Sequence, residues 1–228
     1  MKSMLVALAI LCIDFSFAQV SNSFVIKTED DLANAQDYIF KYPQFQNGKV
    51  YFRNGDVSAA KLNYNFLLQA IEFITEKGDT LALANEATVK IINIGSDTFF
   101  YSTTIGYIQQ AADYSFTKLL LKQSITSDEK KIGAYGIPSS THGIESKDTY
   151  VESVSYKLSK NEDVVLTKRK KYYFSDANFN LYPVNNKNIL KVFQEQRGKI
   201  DTYFRSNKID FNSEDDLKKF FSCLKDNL

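Results

Sequence analysis

The sequence predicts a mainly β (α+β) protein, an antiparallel meander curling towards an open barrel or sandwich, with a short C-terminal helical segment packed on it. Three observations predict this. Turn signals recur roughly every ten residues between 48 and 102, with β-branched and aromatic runs between them. Several of those runs carry apolar residues in both alternating positions, so the sheet needs cover on both faces. Helical spacing of apolar residues is confined to the two ends of the chain.

The meander reads as three hairpins. Asn54-Gly55 stands between runs 49–53 and 57–64, where a two-residue type I′ turn is expected because Asn and Gly tolerate positive φ. Glu76-Lys77-Gly78-Asp79 joins 70–75 to 80–84, and Gly95-Ser96-Asp97 joins 89–94 to 98–102. In the last pair Val89 and Ile91 alternate to one side, Ile92 and Ile94 to the other. A half-open barrel plugged by the C-terminal helices is the expected arrangement.

Further strands are expected at 105–112 and 116–125, then a polar insert over 126–149. Another hairpin is expected from 150–160 and 164–174, turning at Asn161-Glu162-Asp163. Ahead of the sheet, Thr28 caps a short helix over 28–41 that Pro43 ends. Behind it, three amphipathic helices are expected: one over 187–195, one carrying Ile200, Tyr203 and Phe204 after an interruption at Gly198, and one capped by Ser213. The domain expectation is 19–181 for the β-rich part and 182–228 for the helical segment.

Residues 1–18 read as a secretory signal, with Lys2, an apolar run and Ser16-Phe17-Ala18 before the expected cut. The run is too short to span a bilayer, so no transmembrane segment is expected in the mature chain. Leu11 before Cys12 argues against lipidation. The expected location is periplasmic or extracellular. Export would leave Cys223 alone, without an intramolecular disulfide, read as a small apolar residue on a helix face. The formal net charge of +1 gives no electrostatic bias towards nucleic acid.

Candidate chemistry is sparse. His142 is the only histidine, leaving a Ser-His pairing with Ser139 or Ser140 in the loop GIPSSTHG, which lacks the spacing of a nucleophile elbow. Glu72, Asp79, Glu86 and Asp97 lie in or beside the meander, where paired acids would serve a glycosidase, yet three of them fall at turns. Neither phosphate-binding glycine motif nor an EF-hand loop is present, so no cofactor, metal or catalytic residue is expected. Lys168, Arg169, Lys170 and Lys171, followed by Tyr172-Tyr173-Phe174, form the densest charge cluster. It is a candidate polyanion contact, or else a solvated strand whose charges block edge pairing.

The segments LNYN at 62–65, EFIT at 72–75 and GDTLALAN at 78–85, with the tail from ILKVF to DDLKKFF, resemble a family of uncharacterised secreted β-rich proteins from Bacteroidetes-type bacteria. The resemblance implies export, a β-rich body and a helical end, and brings no activity. LNYN and the Gly78-Asp79-Thr80 run are equally explained as turn and strand-end chemistry. The expected function is that of an exported, non-catalytic binding or envelope-associated protein, holding a hydrophobic small molecule or an envelope component. The alternative is a secreted hydrolase of carbohydrate or ester substrates working through loop residues.

Overall fold

The computed structural model describes residues 22–128 and 163–225. The expected signal, the Ser139/Ser140/His142 loop and the strand at 150–160 lie outside the described residues. Within them the chain forms one antiparallel sheet, unclosed and curled, with short helices at both ends. The strands are β1 (Ser23–Ile26), β2 (Gln46–Phe52), β3 (Val57–Asn65), β4 (Ala70–Ile74), β5 (Thr80–Ala82) and β6 (Val89–Ile94). They continue as β7 (Asp97–Ser102), β8 (Gly106–Asp113), β9 (Lys118–Asp128), β10 (Val164–Ser175) and β11 (Leu181–Pro183). Their order is β1-β10-β9-β8-β7-β6-β2-β3-β4-β5, and β11 pairs with the end of β10 beyond β1.

Glycine sets the turns, but not always in the expected form. Gly55 alone takes positive φ between β2 and β3, its N–H bonding Phe52 O while Phe52 N–H bonds Asp56 O. This is a three-residue loop ending in a left-handed bulge position rather than a type I′ turn. Gly78 repeats the pattern between β4 and β5, with Gly78 N–H to Thr75 O and Thr75 N–H to Asp79 O. Between β6 and β7 the loop is two residues, with Gly95 at φ 57° and Ile94 opposite Asp97.

Strand β6 carries a bulge. The register with β2 skips Lys90, pairing Ile91 with Tyr51 and Val89 with Phe52. One extra residue reverses the alternation, so Val89 joins Ile92 and Ile94 in one buried cluster instead of facing away from them. This strand therefore gives weaker evidence for a covered second face than its sequence suggests.

The concave face of the curl buries Val50, Leu62, Tyr64, Ile71, Ile92, Phe99, Ile125 and Leu166, among others, in one cluster. What plugs it is the N-terminal pair of helices, α1 (Glu29–Asn34) and α2 (Gln36–Ile39), through Ala35 and Ile39. Thr28 caps α1 in a reciprocal box with Asp31. Curling brings the β3–β4 turn onto the edge of β9 that β8 leaves open. There Ile125 N–H bonds Phe66 O at 2.9 Å, and Tyr64 Oη donates to Gln123 O at 2.8 Å.

The C-terminal helices, α3 (Asn186–Val192), α4 (Arg197–Ser206) and α5 (Glu214–Lys225), build a second cluster. Gly198 lies inside the first turn of α4, so the break between α3 and α4 falls before it rather than at it. Alternation explains how the sheet serves both clusters. Val164 and Leu166 of β10 lie in the first, whereas Tyr172 and Phe174, in the same alternating set, meet the helices. Leu119, Leu121 and Ile125 divide β9 in the same way. No helix among the described residues is long and apolar enough to cross a membrane.

Val165, Leu166 and Thr167 of β10 pair with β1 on one side and β9 on the other.

Close packing at the sheet centre makes one substitution informative. A Cβ on Gly48 would sit 2.6 Å from Leu62 Cδ1 and 2.7 Å from Asn93 O, a backbone atom that cannot move alone. Gly48→Ala should lower stability by about 1–3 kcal/mol, read as the urea midpoint. Gly198→Ala, with nothing within 4 Å, should leave the midpoint unchanged or raise it. Equal midpoints for Gly48→Ala and wild type would refute the close approach.

Candidate functional site

The convex face of β9 and β10 carries an open cleft of about 620 Å³. Antiparallel pairing sets its floor. Lys171 lies opposite Lys122, and Arg169 lies opposite Ser124, so their side chains share one face. The β3–β4 turn brings Gln69 to the rim, the β7–β8 turn brings Thr104 and Ile105, and Tyr173, Leu181 and Pro183 complete the apolar wall.

Lys122 is the least ordinary member. Its Nζ would lie 3.1 Å from a Cβ at Gly106, so the missing side chain there gives the ammonium room. Burial pushes its pKa down to about 8. Among the described residues no carboxylate forms an ion pair with Lys122, Arg169 or Lys171; the ion pairs seen there join other groups. Arg169 makes one long contact, Nε to Thr126 Oγ1 at 3.4 Å, and Lys171 Nζ stands 5.4 Å from the Tyr173 ring centroid. Like charges directly opposite on a ladder oppose folding. Nothing among the described residues offsets them with a carboxylate.

The four-residue basic cluster is thus divided by strand alternation. Arg169 and Lys171 face the cleft together with Lys122. Lys168 points to the other face, its Nζ 4.3 Å from the Tyr38 ring centroid and 4.9 Å from that of Phe66. Burial and the neighbouring Lys170 and Lys41 charges lower the Lys168 pKa, which marks a packed residue. Lys170 is exposed and also lines the cleft. The edge-protection reading also finds support. β9 pairs with one edge of β10 throughout, but on the other edge no described strand pairs over Arg169 to Lys171, between Thr167 opposite Ser23 of β1 and Tyr173 opposite Pro183 of β11.

Two of the carboxylates proposed for glycoside chemistry, Glu72 and Asp97, have structural partners. Glu72 is buried in the sheet and accepts a 3.4 Å contact from Asn65 Nδ2. Asp97 accepts from Tyr42 Oη at 2.5 Å and pairs with Lys41 at 3.5 Å. Asp79 closes its turn, accepting Thr75 N–H through its own backbone O. Among the described residues no group of three or more His, Cys, Asp or Glu could hold a metal ion.

The LNYN segment is likewise architectural. All four side chains are buried; Asn63 exchanges bonds with the Tyr42 backbone, and Asn65 Oδ1 accepts Leu67 and Leu68 N–H. Sequence reading missed Lys122, the residue on which the cleft turns. Its only local signal is a lone cation directly after the Leu119–Leu121 run. No family model, curated protein or solved structure matches the chain.

Proposed function

We propose that the chain is a non-catalytic binding protein of the cell envelope, exported through residues 1–18, which holds an anionic group of an envelope component in the cleft of Lys122, Arg169 and Lys171. The family likeness to secreted proteins of Bacteroidetes-type bacteria belongs to the same proposal. The observation that carries it is the half-buried Lys122 without a described carboxylate, next to two more cations on one face. Such an arrangement opposes folding and is relieved when an anion enters. Ile105, Leu181 and Pro183 beside the cations suit an amphiphile, which keeps the expected hydrophobic character of the ligand.

The test is an NMR titration of the protein with a soluble glycerophosphodiester. Amide signals of residues 122, 124, 169 and 171 should move together and saturate. Shifts scattered over all surface lysines, or none, would refute the cleft as a binding site.

A further inference from the structure

We infer that the outer face of β8–β10 docks on the anionic surface of a lipid bilayer, with Phe179 as its apolar anchor and Lys122, Arg169 and Lys171 on headgroup phosphates. This rests on the anion reading above and adds the source of the anion.

One turn occurs three times in the sheet. Between β2 and β3, and again between β4 and β5, the residue whose N–H closes the turn is glycine, at φ 98° and 90°. Between β10 and β11 the hydrogen bonds are the same: Phe179 N–H to Asp176 O, and Asp176 N–H to Asn180 O. Here the left-handed position is filled by phenylalanine, at φ 62°. A bulky side chain opposes that conformation, so the loop holds Phe179 against a local preference for glycine. Asp176 supplies the restraint by accepting from Asn178 N, Asn180 N, Asn180 Nδ2 and Tyr182 Oη.

The ring held this way stays 37% exposed. It meets the Phe100 ring at a tilt, centroids 4.9 Å apart, and Phe100 packs with Ile105, Tyr173 and Leu181 of the cleft wall. The exposed aromatic therefore adjoins the cations. On their far side, Val25 of β1 lies opposite Val165, in the same alternating set as Arg169, and is 40% exposed. Cations flanked by exposed apolar residues on one sheet face suit a membrane interface, where headgroup charge and acyl surface are met together.

Sedimentation with phosphatidylcholine vesicles, with and without phosphatidylglycerol, tests this on protein purified from cells that express it. Binding should require phosphatidylglycerol and weaken with salt. Removing one of the three cations should weaken it about fivefold, and Phe179→Gly about tenfold. Phe179→Gly should also keep or raise the melting temperature, since glycine relaxes the turn. A lower melting temperature with unchanged vesicle binding would make Phe179 a structural cap and overturn the inference. Loss of vesicle binding throughout, with the soluble diester still moving the Lys122 signals, would overturn membrane docking and leave the anion reading standing. Failure of both ligands would remove both.

Discussion

Phe174→Ala is expected to destabilise the protein by about 3–5 kcal/mol, a large part of what a domain of this kind has in total. Phe174 is fully buried, and its ring meets Tyr182, Phe193 and Phe221 at 5.6, 5.5 and 5.8 Å. Those partners come from β11, the end of α3 and α5, so one side chain joins the sheet to the C-terminal helices. Because β9 and β10 run through both hydrophobic clusters without a register shift between them, the loss should be felt by the whole fold. Urea unfolding followed by far-UV circular dichroism and by tyrosine fluorescence should give one shared, lowered midpoint. Separate midpoints, with helical signal lost first, would show that the helices form an independent unit.

How much of this architecture the sequence reveals depends on the range of the forces involved. Strands β3, β4, β6 and β7 fall within a residue or two of the expected bounds, because Gly55, Gly78 and Gly95 mark their turns locally. Thr28 and Ser213 mark helix starts for the same reason, each accepting from an N–H three residues on. Turn type was harder to read: Asn54 could take positive φ, but the chain places only Gly55 there. The bulge at Lys90 has no local signature, and it changes which of the β6 side chains share a face. Long-range placement is invisible in sequence order. Nothing near Lys122 says that residue 171 will stand opposite it, or that the β3–β4 turn will close the far rim. A contiguous run of four cations, by contrast, catches the eye although alternation sends Lys168 onto Tyr38 and Phe66.

Replacing Lys122 by methionine should move binding and stability in opposite directions. Losing a charge-assisted hydrogen bond to the anion should weaken binding of a soluble phosphodiester by about 10- to 100-fold. Stability at pH 7 should rise by about 1–2 kcal/mol, less than the full shift implies because solvent still screens part of the ammonium. The sign follows from the two pKa values. Lys122 titrates near 8 in the folded chain against an ordinary 10.5, so the unfolded chain holds the proton more tightly. Its charge therefore opposes folding below pH 8, and the opposition fades as pH rises from 8 to 10.5. Wild type should gain on Lys122→Met across that window. Anion affinity should do the reverse, holding steady from pH 6 to 7 and falling above 8 as the ammonium is lost. Lys122→Met should show a flatter profile there, because the buried ammonium whose lowered pKa falls in that range is gone. A lysine that merely packed its stem would behave otherwise: methionine would leave both the affinity and its pH profile unchanged. Opposite signs in the two measurements are what a residue kept for binding, at the expense of stability, must give.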